Sequence, residues 1–416
     1  MNSVLRNYDT SQFNPRMLKE AVEAVYDRSA NGDPQTMNEV FKQERARLVK
    51  KWAWYLGEQV VAKNGKKYDL KPIAPELWEM MATLFENQML ANPEPRSFYE
   101  ATTKSTISLP ANFALPIIRE VFPQLVMLRI TNIQPMPASS GGVARAWWWR
   151  TYRTDTSVQS TTADSDYAFN TEQGVPKQMH ATLDSATVTA TKDILAATWS
   201  QEAQEDLQGV MGIDLGAEMM STMAGEILRE LEERVVNEIV NRATAGNTDW
   251  SDTVATGYTA TQWYETLYHA FIDSEKLVRQ NRHIRCNYIL CGLNVEGFLR
   301  KSQRFVSLDT GSVETLRSGV RFEGTFSNMW DVYSSEYIDA DTAVISAYPN
   351  GLQTGYIWMP YIPLMPMPRV YAESKNYDDA TLPGALVNTD SWSQNIRTRN
   401  GQYMCEPGMF ATVTVT

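Results

Sequence analysis

Apolar residues recur at helical spacing for thirty residues, from Asp214 to Ala243, and this pattern predicts one long helix. Asp214 is a suitable N-cap, and apolar positions from Leu215 to Ile239 recur every four residues. At 1.5 Å per residue the helix would be a rod of about 45 Å. Its acidic residues are Asp214, Glu218, Glu226, Glu230, Glu232, Glu233 and Glu238. Such a concentration of carboxylates is typical of a solvated face.

Two strand-like segments flank a polar stretch in the centre of the chain. Val143 to Arg153 (VARAWWWRTYR) and Thr182 to Ala190 (TLDSATVTA) both favour strands. Residues 154–180 between them are rich in Ser, Thr and Asp. Together these segments predict a two-stranded arm with a polar tip that is much longer than an ordinary hairpin loop.

Three consecutive tryptophans lie in the first arm strand, where neighbouring side chains alternate between the two faces. The strand could be buried on both faces, could offer an aromatic platform to sugars, or could contact another subunit. Because a projecting arm cannot bury both of its faces itself, we favour the subunit contact. The residues assigned to this contact are Trp147, Trp148, Trp149, Arg150, Tyr152 and Lys177.

The first hundred residues are predicted to be mainly helical. Helices are expected after Asn14-Pro15, from Met37 to Leu56 and from Pro75 to Leu90, with a small hairpin from Val60 to Tyr68. The proline-rich segment at residues 92–95 is the first candidate boundary. Residues 42–71 hold nine basic and three acidic side chains, and this run would suit a solvated helix face or an acidic partner.

After the rod the pattern alternates and then becomes strand-like. Helices are predicted from Trp263 to Gln280 and from Asn294 to Ser302, with a short strand at residues 286–290 between them. Towards the C-terminus, strands are expected on either side of Asn350-Gly351 and of Asn400-Gly401, two dipeptides that favour hairpin turns. The fold class is therefore α+β, without internal repeats.

Charge and composition exclude several classes of function. The chain has 416 residues with 38 basic and 49 acidic side chains, a net charge of −11. Residues 1–100 are neutral, with 14 of each sign, so the rest of the chain carries the whole deficit. A protein that grips nucleic acid over most of its surface would need the opposite sign. No apolar run is long enough to span a bilayer, and the N-terminus shows no secretory signal pattern.

Motifs for catalysis or cofactor binding are missing from the sequence. The histidines, at positions 180, 269 and 283, lie in different predicted elements, and no HExxH, GxGxxG or GxSxG motif is present. Cys286, Cys291 and Cys405 fit small core residues of a protein from a reducing compartment. We therefore expect no enzymatic activity, no cofactor and no metal.

Three stretches together resemble a known family. Leu115 to Met136 (LPIIREVFPQLVMLRITNIQPM) is similar to the segment that leads into the extended arm of T-even-type major capsid proteins of tailed phages. Val188 to Leu207 (VTATKDILAATWSQEAQEDL) resembles the returning strand of that arm and the helix start after it. Gly355 to Pro366 (GYIWMPYIPLMP) and Arg397 to Gly401 (RTRNG) resemble the closing strands.

The resemblance implies the Hong Kong 97-type capsid fold. It assigns a helical N-terminal region to residues 1–95, an N-terminal arm to 96–142, the extended loop to 143–200, the peripheral domain with its spine helix to 201–260, the axial domain to 261–348 and closing strands to 349–416. On this assignment the acidic rod is the spine helix.

The resemblance also implies a structural function. Many copies would form hexamers and pentamers of an icosahedral shell that encloses double-stranded viral DNA without reading its sequence. Scaffold, portal and decoration proteins would be partners, no membrane would be involved, and the virion capsid would be assembled in the host cytoplasm. In some relatives an arm lysine is cross-linked to a neighbour's asparagine; Lys177 is the arm's lysine here, although no spacing favours the link.

Two other functions remain open at this point. An encapsulin-like shell that packages enzymes would share the fold, and the T-even-like motifs weigh against it. A carbohydrate-binding or glycosidase module would explain the tryptophans, and it would be expected to be monomeric and to bind glycans.

Overall fold

The computed structural model describes most of the chain in separate stretches. These are residues 39–57, 59–61, 67–69, 73–91, 119, 122, 125–137, 140–153, 179–211, 215–307, 320–367, 370–372 and 391–416. The helix predicted after Asn14-Pro15, the N-cap Asp214 and the polar tip of the arm lie outside them. Among the described helices, none combines the length and the apolar character needed to cross a bilayer.

The N-terminal helices belong to the main core of the protein. Helix α1 (Glu39–Leu56) is followed by the small hairpin β1 (Gln59–Val61) and β2 (Lys67–Asp69), and a 3₁₀ turn (Pro75–Leu77) leads into α2 (Trp78–Ala91). Their apolar residues share one hydrophobic cluster with those of the long helix. This hairpin and these helices confirm the corresponding sequence predictions.

A five-stranded sheet forms the centre of the molecule. After the short helix α3 (Met127–Ile130), the chain contributes β3 (Asn132–Ile133), β6 (Thr191–Ser200), β13 (Tyr356–Pro366), β14 (Val370–Ala372) and β15 (Ser391–Met404). Strand β15 lies centrally, with β6 along one edge and β13 and β14 along the other. Alternate residues of β13 point to opposite faces: Tyr356 and Trp358 into the helical core, Ile357 and Met359 towards the arm.

The long helix predicted from the sequence is confirmed as α5 (Leu215–Arg242). It follows helix α4 (Gln201–Met211), and its 28 residues correspond to about 42 Å of helix. Its apolar residues, among them Ile227, Leu231 and Val235, lie in the main core, on one face of the five-stranded sheet. The opposite face of that sheet is covered in part by the arm, β4 (Val143–Arg153) and β5 (Met179–Thr189).

The second sheet has seven strands. Helices α6 (Ala260–Arg282) and α7 (Leu293–Lys301) cover one face of it, while residues of the other face join the main core. In their order across the sheet, the strands are β7 (Asn247–Trp250), β16 (Ala411–Val415), β12 (Thr342–Ser346), β8 (Tyr288–Cys291), β11 (Trp330–Ser335), β10 (Val320–Phe326) and β9 (Phe305–Ser307). Helices and strands thus mix along the chain, and the α+β class is confirmed.

The two C-terminal turn predictions have different outcomes. The turn at Asn350-Gly351 and the strands on either side of it are confirmed, although these strands, β12 and β13, belong to different sheets. The turn predicted at Asn400-Gly401 is wrong. Asn400-Gly401 lies inside the continuous strand β15, and neither residue has the positive φ that a type I′ turn requires. The reason for glycine at 401 is close packing, because an added Cβ would lie 2.6 Å from both the Met136 and Val188 side chains.

Candidate assembly surface: the arm and the long helix

The arm is an antiparallel pair of eleven-residue strands in regular register, from Val143 opposite Thr189 to Arg153 opposite Met179. Side chains directly opposite each other share a face, so Trp148 lies beside Asp184 and Trp147 beside Ser185. The arm therefore has an inner face with the even-numbered residues of β4 and an outer face with the odd-numbered ones.

The inner face packs on the body of the protein. Trp148 is only 4% exposed, and its ring centroid lies 5.2 Å from that of Tyr403. Ala146 and Val188 complete this small apolar layer above Met359 of the central sheet. Trp148 is therefore a core residue of its own chain, and it does not offer a surface to a neighbour.

The outer face is open in the single chain. Trp149 is 38% exposed, Val143 is 48% exposed, and Trp147 is half-buried between them. On β5 the same face carries the exposed residues Ser185 and Thr187. Of the tryptophans predicted to form a contact, the structure brings Trp147 and Trp149 together on this outer arm face and separates Trp148 from them.

Backbone contacts hold the root of the arm to the body. The Gln134 side chain acts like a strand partner: the Trp147 N–H donates to its Oε1 at 3.0 Å, and its Nε2 donates to the Trp147 carbonyl at 2.7 Å. The Trp149 N–H donates to the Leu352 carbonyl at 3.1 Å. These bonds fix the direction in which the tryptophans project.

A buried carboxylate fixes the arm further along. Glu406 is 4% exposed, and it forms ion pairs with Arg150 of the arm and with Arg282 in the last turn of α6. Arg150 also lies 3.3 Å from Asp184 and 5.5 Å from the centre of the Trp148 ring. Arg150, predicted to contact a neighbour, is thus engaged inside its own chain.

The side chains of Tyr152 and Lys177 lie outside the described residues, so their predicted contact stays a prediction. Sequence reasoning missed Glu406, whose partner Arg150 is 256 residues away, and Gln134, which binds the Trp147 backbone only 13 residues away. The pKa of Arg282 is lowered, mainly because the group is buried and in part because Arg150 is near, and Glu406 opposes this shift. The carboxylate thus stabilises two neighbouring guanidinium groups.

The carboxylates of α5 divide into two groups. Glu218, Glu226 and Glu230 are exposed, and Glu233 is half-buried, as a solvated face requires. Glu232 is fully buried, and its Oε1 accepts hydrogen bonds from the Val126 and Met127 N–H groups at 2.7 and 3.3 Å.

Glu238 also has a specific role, since its carboxylate accepts a hydrogen bond from the Tyr356 hydroxyl at 2.6 Å. The prediction that all the carboxylates of the long helix form a solvated face is therefore wrong for Glu232, which accepts hydrogen bonds from the backbone N–H groups at the start of helix α3 instead.

One further contact joins the long helix to the root of the arm. Arg234 of α5 binds Asp193 of β6 through two hydrogen bonds of 2.8 and 3.0 Å. Asn400 donates to the same carboxylate at 3.4 Å. Because β6 follows β5 after Ala190 alone, this contact anchors the strand that continues into the arm.

The thiols of the described part of the chain are not placed for catalysis. Cys286, Cys291 and Cys405 are buried and unpaired, and burial raises the pKa of each thiol well above its usual range. Such thiols are poor nucleophiles at neutral pH. No cluster of metal-ligating side chains occurs among the described residues.

Comparison with known families adds an independent finding. Residues 141–379, more than half of the chain, match the family described as major capsid protein Gp23. The matched region begins at the root of the arm and includes the long helix and most of the seven-stranded sheet.

The sequence identity between this chain and individual relatives or solved structures is low. The chain is 24% identical over 221 residues to the major capsid protein of Vibrio phage KVP40 and 26% identical over 236 residues to that of Enterobacteria phage T4. These alignments cover 48% and 50% of this chain but only 43% and 44% of those relatives, so the chain matches less than half of their length. A structure described as the asymmetric unit of the bacteriophage PhiM1 mature capsid is similar with a TM-score of 0.41 and 13% identity, over 70% of this chain and 87% of that one.

Proposed function

The chain belongs to the Gp23 family of major capsid proteins, and we propose that many copies of it build the icosahedral shell of a tailed phage. Hexamers and pentamers of the chain would tile a closed surface around double-stranded DNA. This function is structural and needs no catalytic site, cofactor or metal.

The outer arm face carries this proposal. It exposes Trp149 and Val143, with the half-buried Trp147 beside them, on a strand that is anchored to the body by Gln134 and Glu406. Partly exposed aromatic side chains on a fixed strand are typical of protein interfaces. A projecting arm that lies on the next copy makes a head-to-tail contact, and head-to-tail contacts close into rings.

The segments would take the roles of the Hong Kong 97-type fold. Residues 143–200 would be the extended loop, α5 the spine helix of the peripheral domain within residues 201–260, and residues 261–348 most of the axial domain. Residues 96–142 would be the N-terminal arm, and residues 349–416 the closing strands. The long α5, the two-stranded arm and the separate seven-stranded sheet support this assignment.

The exposed carboxylates of α5 support a role on the inner wall of the shell. Glu218, Glu226 and Glu230 would repel packaged DNA, so that the DNA is enclosed and not gripped. Scaffold, portal and decoration proteins would complete the assembly in the host cytoplasm, and the mature location would be the virion.

Negative-stain microscopy and sedimentation of the purified full chain, with and without scaffold, test this function. We expect closed shells or rings, and the ratio of absorbance at 260 and 280 nm of particles from infected cells should show nucleic acid. Shells that contain protein cargo without nucleic acid would identify a nanocompartment instead. A monomer under every condition would refute the shell.

A further inference from the structure

An uncovered part of the central sheet lies next to the root of the arm. On β6, the even-numbered residues Ile194, Ala196 and Thr198 are exposed, and Ile194 is 52% exposed. The odd-numbered residues of the same strand face the long helix, and Ala197 and Trp199 are buried there. On this side of the sheet the arm covers β13 and reaches Arg399 of β15 through Gly142, whereas it leaves β6 open.

Three cations lie at this part of the sheet, with Lys192 exposed and Arg397 and Arg399 half-buried. Lys192 of β6 lies directly opposite Arg399 of β15, and Arg397 lies two residues further along the same face, opposite Ile194. Like charges directly opposite each other in an antiparallel pair destabilise the sheet. In a chain of net charge −11, such an arrangement of cations needs a reason outside the isolated subunit.

The three cations lack carboxylate partners within the described part of the chain. Arg399 lies 5.2 Å from the centre of the Tyr361 ring, and Arg397 contacts the Met365 sulfur at 2.8 Å. The nearest acidic residue in sequence, Asp193, points to the opposite face and binds Arg234. We call Lys192, Arg397 and Arg399 the basic patch.

A complementary surface exists elsewhere on the same chain. Helix α4 exposes Glu202, Glu205 and Asp206, which are spaced three and four residues apart and so share one helix face. Within the described residues none of the three forms an ion pair. Helix α4 begins where β6 ends, roughly 26 Å of strand away from Lys192, so the two surfaces cannot meet within one chain.

We propose that the basic patch of one copy binds the acidic face of α4 in a second copy. The inference rests on the proposed shell function, and it adds a second head-to-tail contact to that of the outer arm face. Two unlike surfaces on one chain that fit each other generate a ring or a lattice, whereas a self-complementary surface would give an isolated dimer.

Charge reversal with a matched control tests the contact. Lys192→Glu should raise the critical concentration for assembly about tenfold or more, since it places like charges across the contact. Lys276→Glu, the same change at an exposed lysine of α6, should leave this concentration within about twofold of the wild type. The melting temperature of the Lys192→Glu subunit should be at least that of the wild type, because residue 192 then faces Arg399 with opposite charge.

A charge swap identifies the partner surface. Lys192→Glu with Arg399→Glu, and separately Glu202→Lys with Asp206→Lys, should each impair assembly, and all four changes in one chain should restore it. Equal assembly of the Lys192→Glu and Lys276→Glu variants would overturn the proposal. Failure of the four-residue swap to restore assembly would overturn α4 as the partner.

Two other outcomes are distinguishable. If the wild-type chain binds a 20-base-pair DNA duplex in an anisotropy assay and the Lys192→Glu, Arg399→Glu variant does not, the patch is a DNA site and the proposal is wrong. If the wild-type chain never assembles, the shell function itself fails, and this contact fails with it.

Discussion

Replacing Trp149 by alanine should weaken assembly of the shell while the subunit stays folded. Trp149 is 38% exposed in the single chain, so of roughly 250 Å² for a tryptophan about 95 Å² remains for a neighbour to cover. At about 25 cal/mol per Å², full coverage is worth about 2 kcal/mol per contact. This corresponds to about a thirtyfold change in the dissociation constant of each contact.

Trp148→Ala is the matched control, one residue away on the inner face. Trp148 is 4% exposed and packs on Tyr403, so its loss should cost about 3–5 kcal/mol of subunit stability. Urea unfolding measures the subunit, and light scattering against concentration measures assembly. We expect Trp148→Ala to lower the free energy of unfolding strongly. Trp149→Ala should change that free energy by less than about 1 kcal/mol but should clearly raise the critical concentration for assembly.

Assembly of Trp149→Ala at the wild-type concentration would show that Trp149 is not covered by a neighbour. Equal destabilisation of the subunit by the two variants would show that the two faces of β4 do not differ in burial.

Three further predictions concern the subunit alone, and urea unfolding measures each. Glu232→Ala should lower the free energy of unfolding by about 1–3 kcal/mol, since the buried Met127 N–H and the partly buried Val126 N–H lose their acceptor, and an unchanged value would contradict that role. Gly401→Ala should cost about 1–3 kcal/mol through its clash with Met136, and more than Gly141→Ala, where an added Cβ meets no atom within 4 Å and only the positive φ opposes it. Burial alone would raise the pKa of Glu265, but hydrogen bonds to its carboxylate outweigh burial and lower this pKa. The carboxylate therefore stabilises the fold above its unfolded pKa near 4.5, and this stabilisation is lost as the pH falls through the lowered folded pKa. Glu265→Gln should remove that part of the loss of stability in acid, and an unchanged dependence of stability on pH would contradict this role.

Periodicity and composition were sufficient to predict those helices and strands whose signal lies within a short stretch of sequence. The helical spacing after Leu215 and the polar stretch between two strand-like segments predicted α5 and the arm, because each signal lies within its own element. The alternation of side chains also placed Trp148 on a different face from Trp147 and Trp149. It could not show which face the body covers, since that depends on Met359 and Tyr403, more than two hundred residues away.

Tertiary packing overrode local turn chemistry at Asn400-Gly401. The dipeptide favours a hairpin turn, but β6 pairs with β15 as far as Asn400, and β13 pairs with it through Gly401. The buried role of Glu232 was hidden for a similar reason, because its N–H partners come from a segment about a hundred residues earlier. Long-range partners of this kind leave no periodic signal in the sequence.

Oxidative footprinting of the tryptophans in the free subunit and in the assembled particle shows whether the shell covers the outer arm face. We expect Trp149 to be oxidised in the subunit and to become protected severalfold in the shell, while the buried Trp148 reacts slowly in both. Equal oxidation of Trp149 in the two states would contradict the claim that the outer arm face is the contact between copies.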